Sequence, residues 1–574
     1  MKKIATAILI STVCTMPANP VVPNDDFNKF MKESLSDFNS FISEANKEFI
    51  SFMRNPWTKF DSEKPVEKRV VPEPEKLPVY NPATDPKPDK PRELTIEDIF
   101  DLTSKEGKQK PQTNVDGGEK VSFDTPGNKP AQPDNQQPVP EQIPEEKPAA
   151  PAKPEKPAVP EKPITPTKPV TPQTPAVPTV PATTPTKPVT PQTPEKPQTP
   201  VQPETSPVRP VTPQTPLYTG GAGRDKITYA GVDYYVSNGL RNKTSLKSLS
   251  ENHIADAYEN LFRADYAPLI EDLQKLYRQD LKNEWALFML VKKISENFAG
   301  KNESVVLRQF LLNQLGYKAR VARVNNSRLS LFVAPDTNLY GCIYVEMNGT
   351  RFYDVDATEP YSFYMCKKDS PAAKKNISMK VKQTPRTGFA AKASVHATKN
   401  ASVQANVPVG LIEFYSGLPQ CEYDVYVNAP VAPAVENAVL PALRAAIAGK
   451  DEQTAAGILL DFCQNGFKYA TDDQQFGFEK PFFVEELFYY PMCDCEDRSI
   501  LYRYLVRKLL GLDVVLLDYP GHIATAVKFN SPVNGDYVNY NGQRYTVCDP
   551  TYINAGIGMA MPQFRKTAAK VLKY

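Results

Sequence analysis

Histidine is scarce in this sequence: His253, His396 and His522 are the only three in 574 residues. A zinc site needs several Cys or His ligands at close spacing, and no such cluster is present. The acidic loop of a calcium hand is missing as well. Charge of one sign is lacking too, since 68 Lys and Arg against 66 Asp and Glu leave +2. That balance gives no field to draw nucleic acid or an anionic membrane, so nucleic acid is not an expected partner. After the N-terminal Ile4 to Val13 run, no apolar stretch is long enough to span a bilayer. Apart from Cys14 there are seven cysteines, at 342, 366, 421, 463, 493, 495 and 548. If one is a reactive thiol, six remain that could pair in an oxidising compartment. Burial as small apolar side chains is the preferred reading.

Proline is abundant instead, with 38 of the 58 prolines lying between Pro65 and Pro216. Such a stretch buries too little apolar surface to offset its ordering entropy, so residues 61–217 read as a disordered Pro/Thr/Lys-rich linker. TPTKPVTPQTP occurs at Thr165 to Pro175 and again at Thr184 to Pro194, a pattern that favours extended polyproline II. Only Glu93 to Thr103 looks like a local helix within it. At the N-terminus, Lys2 and Lys3 precede a short apolar run, and residues 1–18 read as a signal peptide. Met16-Pro17-Ala18 is a poor cleavage site. Cys14 offers a lipoprotein alternative, although Val13 before it is larger than that processing step prefers. The expected location is periplasmic, cell-surface or secreted.

Residues 24–60 carry a phenylalanine repeat of period eleven: Phe27, Phe38, Phe49 and Phe60 form one row, Phe30, Phe41 and Phe52 another. Eleven residues make three helical turns, so both rows stay on one face of a helix that Pro56 ends or kinks. That face must bury itself, by self-association (ranked first), by docking on the globular part, or on a membrane.

The remaining chain contains one pattern twice. Asn302 to Val324 and Glu496 to Tyr519 each read as an apolar-striped helix, a glycine stop (Gly316, Gly511) and an apolar strand. Asn348 to Thr358 (NGTRFYDVDAT) and Asn541 to Thr551 (NGQRYTVCDPT) each read as an Asn-Gly hairpin turn followed by a strand. The order is the same in both, which implies a duplicated α+β domain with an antiparallel sheet. Ile377 to Tyr415, between the copies, reads as several short strands.

The second copy alone holds a set of residues suited to thiol chemistry. Cys495 stands directly before a helix start, where partial positive charge favours a thiolate and can bind an oxyanion. His522 opens a strand after the turn Tyr519-Pro520-Gly521, and Asp549 ends the next strand, one strand spacing away. Each residue alone favours a structural role, Cys495 buried or paired with Cys493 in a C-x-C redox or metal role, His522 a core histidine, Asp549 a turn residue before Pro550; the ordered trio reverses that preference. At the matching positions the first copy has Gly300 and, near Ser327, no histidine; only Asp356 corresponds, to Asp549.

CDCEDRS (Cys493 to Ser499), PGHIATAV (Pro520 to Val527) and CDPTYINAGIG (Cys548 to Gly558) resemble the transglutaminase-like superfamily of papain-like enzymes. The likeness is specific over the C-terminal domain, weaker over the first copy, and extends to secreted transglutaminase-like proteins of Bacteroidetes. It implies Cys495 as nucleophile, His522 as base and Asp549 as the partner of that base. Cys493 departs from the family pattern, which has glycine there, and Ile523-Ala524 follows His522 where many members have an aromatic residue. The organisation expected is thus a degenerate transglutaminase-like domain at 218–370, a short-strand connecting segment at 371–420 and a catalytic domain at 421–574. The expected activity is extracytoplasmic, cysteine-dependent acyl transfer on a peptide or protein substrate, cell-wall peptide among the options, with no cofactor and no metal. The competing expectation is a non-catalytic envelope binding or assembly protein with a vestigial fold.

Overall fold

The computed structural model describes residues 44–66, 77–97 and 220–574. Over these residues the protein is a mixed structure of helices and two six-stranded, mainly antiparallel sheets. The first sheet runs in the order Thr58–Asp61, Ser362–Met365, Ala319–Val324, Arg328–Val333, Thr350–Asp354, Ile343–Met347. The second runs Lys570–Leu572, Asp513–Tyr519, His522–Lys528, Gln543–Cys548, Asp536–Tyr540, Arg92–Glu93. From Ser362–Met365 and from Lys570–Leu572 onward, five strands follow one another with the same relative chain order in both sheets. Helix Lys301–Gln314 packs on the first sheet and helix Cys495–Leu510 on the second.

Local chemistry accounts for these elements. Both helices give way to a glycine with positive φ, Gly316 at 94° and Gly511 at 68°, a conformation that side-chain-bearing residues rarely adopt. Both Asn-Gly pairs (Asn348-Gly349 and Asn541-Gly542) also have positive φ, as a tight hairpin turn requires. The helices bury their apolar faces in one continuous core that takes in Leu261, Phe288, Phe310, Leu459, Leu501 and Leu505. None of the seven described cysteines forms a disulfide, and all seven are buried. No helix among the described residues is long and apolar enough to cross a membrane.

Several expectations need correction. The phenylalanine helix does not reach Phe60: helix covers 44–54, and Trp57 closes its end by donating Nε1–H to Met53 O at 2.9 Å. Thr58–Asp61 then turns into a strand, because the edge of Ser362–Met365 offers unpaired backbone groups. Of the aromatic rows, Phe49 is 1% exposed and meets Tyr258 edge-on at 5.7 Å, and Phe60 stacks on Phe363. Phe49 and Phe60 therefore dock on the globular part, while Phe52 is 41% exposed. Phe27, Phe30, Phe38 and Phe41 lie outside the described residues, as do the signal-peptide residues and Cys14.

The stretch 61–217 is not linker throughout, nor does a helix begin at Glu93. Arg92–Glu93 is a strand paired parallel to Asp536–Tyr540, with Leu94 buried on that sheet's outer face. A two-oxygen contact of Arg92 with Asp536, at 2.5 and 2.9 Å, outweighs the local helical pattern. The segment 371–420 forms one hairpin, Ala391–Ala397 with Ser402–Pro408, and Tyr415 belongs to helix Val409–Ser416. The alternation that suggested strands holds through Pro408 and then gives way to consecutive apolar residues that a buried helix absorbs.

Truncating Phe49 to alanine should cost about 3–5 kcal/mol of folding stability, the usual range for a buried phenylalanine. Phe52→Ala should stay within about 0.5 kcal/mol, as for an exposed site. Urea denaturation of the two variants compares them directly; equal effects would mean the helix 44–54 is not docked.

Candidate active site

Cys495 is the first residue of helix Cys495–Leu510, following Asp494 in extended conformation. The first turn is held by Asp497, whose carboxylate accepts the N–H groups of Phe482 at 2.7 Å and Asp494 at 3.2 Å. One turn on, Ser499 donates its hydroxyl to Ile523 O at 2.9 Å, and the Ile523 N–H points at Cys495 Sγ at 3.4 Å. The start of strand His522–Lys528 is thus pinned beneath the thiol. Cys495 is 1% exposed.

His522 opens that strand and is itself buried. Cys548 pairs with Thr525, so Asp549 leaves its strand diagonally across from His522. Its Oδ2 lies 2.9 Å from His522 Nε2. The other oxygen, Oδ1, accepts the N–H groups of Thr551 at 2.9 Å and Tyr552 at 3.3 Å. With Nε2–H donated to the carboxylate, Nδ1 is the nitrogen that bears a lone pair, and it is buried without a hydrogen-bond partner. The ring lies under Phe564, centroids 5.0 Å apart and nearly parallel at 15°. Behind the site, Gln464 Nε2 is within hydrogen-bond reach of the carbonyls of Asp549, Tyr552 and Ala555 at 2.8–3.0 Å. The fully buried Arg498 ties down the end of helix Glu452–Asn465, which carries Gln464, through Gln464 O and Phe467 O, both at 3.0 Å.

Cys495 and His522 line one cleft of about 1280 Å³. Its opposite wall comes from the first half of the globular part, through Trp285, Lys292, Tyr340 and Asp356. There, Asp356 is held by Lys292 at 2.6 Å and Arg308 at 3.6 Å rather than by a histidine. Val333 pairs with Tyr353 as Val527 pairs with Thr546, which puts Arg328, not Ser327, in the place that His522 occupies. The difference of one residue arises because the turn after Val324 is one residue longer than Pro520-Gly521. Gly300 is the N-cap of helix Lys301–Gln314, the position that Asp494 holds before helix Cys495–Leu510, so no cysteine stands at that helix start.

The polar surroundings of the thiol were not legible in the sequence, save that Glu496 is its neighbour. Cys495 Sγ donates to Glu496 Oε2 at 3.2 Å, which sets a carboxyl oxygen directly against the sulfur. Asp472, Glu479 and Glu496 place carboxylate oxygens within 4.8 Å of one another, and Asp472, Asp494 and Asp497 do the same. Oxygen donors so arranged would suit a hard cation. Burial first, then the neighbouring Asp497 and Glu496, pushes Asp472 up to about 10, and burial followed by Glu496 holds Asp497 well above the carboxylate range. Cys493, expected as a possible partner of Cys495, instead directs its thiol to Lys468 O at 3.7 Å. Burial pushes that thiol up to about 11.

No protein-family model matches this chain, and neither a curated protein nor a solved structure is significantly similar to it.

Two outcomes follow for the acids. Glu496→Gln removes the anion beside sulfur, so alkylation of Cys495 by iodoacetamide at pH 7 should become several-fold faster; a slower rate would contradict the role given to Glu496. Asp472 takes up a proton on folding, so its contribution is complete below the ordinary carboxyl range near pH 4 and is lost as pH rises toward about 10. Asp472→Asn should therefore raise Tm more at pH 8.5 than at pH 5, by differential scanning calorimetry.

Proposed function

We propose that this protein is a cysteine-dependent acyl-transfer enzyme acting on peptide-like amides through a thioester, with Cys495 as nucleophile, His522 as base and Asp549 as its orienting partner. The observation that carries the reading is the His522–Asp549 contact. It commits one ring nitrogen to the carboxylate and leaves Nδ1 buried and unpartnered, in the cleft that also holds the thiol. The carboxylate thus fixes the tautomer in which Nδ1 keeps the lone pair that a base needs.

In the proposed cycle, the thiol proton passes to His522 Nδ1 as sulfur attacks the amide carbonyl. The tetrahedral oxyanion sits at the N-terminus of helix Cys495–Leu510, where backbone N–H groups lack intrahelical acceptors. The imidazolium returns its proton to the leaving amine, and the thioester remains. Water then attacks with His522 again as base, releasing acid and free thiol. An incoming amine would give transamidation instead; hydrolysis is favoured for a cleft open to water.

The motifs around the three residues align with a transglutaminase-like reading of the site, and the shared strand order of the two sheets supports a duplicated domain whose first copy is inactive. In that reading the first copy serves as the far wall of the cleft. A secreted or envelope location follows from the N-terminal segment of the sequence alone. The second reading is a non-catalytic envelope protein, and one observation favours it: the Cys495 thiol rests on the Glu496 carboxylate.

Alkylation of Cys495 followed against pH separates the two. The enzyme reading expects labelling well below the ordinary thiol range near pH 8.5, slowed at least tenfold in His522→Ala. Ordinary thiol reactivity, unchanged in the variant, would sink it.

A further inference from the structure

The described residues 77–97 are joined to the turn that carries Asp549. Tyr80 N–H donates to Ile553 O at 2.8 Å and Ile553 N–H donates to Pro78 O at 2.9 Å, so the segment and the turn exchange backbone bonds. Asp85, 6% exposed, accepts the Tyr552 hydroxyl at 3.0 Å and is held by Arg565 at 2.5–2.6 Å. The Tyr80 ring meets the Tyr552 ring edge-on at 5.9 Å. Further along, Leu94 N–H donates to Tyr537 O at 2.8 Å and Glu97 N–H to Ala569 O at 2.7 Å.

Two routes lead from Asp85 to the imidazole. In the first, Asp85 fixes the Tyr552 hydroxyl while the Tyr552 N–H, at the other end of the same residue, donates to Asp549 Oδ1. Asp549 Oδ2 then meets His522. In the second, Asp85 fixes Arg565, whose neighbour Phe564 stacks on the His522 ring. Arg565 also reaches Asp536 at 3.5 Å, the residue that anchors Arg92 of the same segment. A buried carboxylate with a guanidinium and a phenol on it is a strong, directional clamp.

We propose that residues 77–97 are a positioning element of the Cys495 site, and that Asp85 is the positioning residue through which they act. This rests on the acyl-transfer reading for its chemical consequence, but the placement of His522 that it asserts does not. The segment supplies from far outside the catalytic sequence what Gln464 supplies from behind: a fixed turn for Asp549. A displacement of about 1 Å caused far from the chemistry can cost about 100-fold in rate.

The test uses the full chain with ¹³C-labelled histidine, whose three ring signals are assigned by His253→Ala, His396→Ala and His522→Ala. In Asp85→Ala the His522 signal should move while those of His253 and His396 stay, and Cys495 alkylation at pH 7 should fall about tenfold. Asp85→Glu should recover part of both. Arg54→Ala, which removes an exposed ion pair with Asp256 and Glu259, should change neither. If Asp85→Ala does not fold, Tyr552→Phe, which deletes only the hydroxyl, should displace the same signal by less. A His522 signal unmoved in a folded Asp85→Ala or Tyr552→Phe overturns the proposal. Alkylation indifferent to His522→Ala overturns the acyl-transfer reading instead, whatever the ring signals do.

Discussion

The seating of helix Cys495–Leu510 across the second sheet is the constraint on which the site depends. A thiol and an imidazole from separate elements meet usefully only if the helix neither slides nor rotates on the strands. Ser499 prevents both by bonding to the strand residue whose N–H faces the sulfur. Arg498, one position before it, fastens helix Glu452–Asn465 to the same turn, and through Gln464 that helix governs the loop of Asp549. Three consecutive contacts thus transmit one placement to all three residues, and each is buried where water cannot compete.

The three candidate residues were legible in the sequence because each sits at the boundary of an element, where helix starts, turns and strand ends leave local signatures. The paired helix–glycine–strand and Asn-Gly patterns were legible for the same reason. What surrounds them was not. Phe564, Gln464 and Asp85 reach the site from loops and helices whose own sequences carry no periodic mark of it. Thr58–Asp61 and Arg92–Glu93 became strands because open sheet edges hundreds of residues away accept them, which no local window contains. Glu496 shows the converse limit: its position next to Cys495 was plain, but its side-chain direction was not.

Electrostatically the cleft is a site of restrained reactivity. A helix N-terminus favours the thiolate, while Glu496 and the buried acids behind it disfavour it. Under the proposed acyl-transfer reading, a substrate or ion that draws Glu496 away would shift the balance toward the nucleophilic form. The first half of the globular part contributes Lys292 to the facing wall, already engaged with Asp356, so the two walls present cationic and anionic groups to one volume.

The sheet edges closed by the N-terminal segments have a bearing on the order of events during synthesis. Thr58–Asp61 leaves the ribosome some three hundred residues before Ser362–Met365, and Arg92–Glu93 precedes Asp536–Tyr540 by more than four hundred. Contacts of such sequence separation close slowly, because the loop entropy is met before any pairing is gained. Each sheet therefore assembles with one edge bare and receives its last strand from a part of the chain made long before. Until that late step the nascent molecule is at its most prone to pair with another copy, and the turn that bears Asp549 has yet to be clamped.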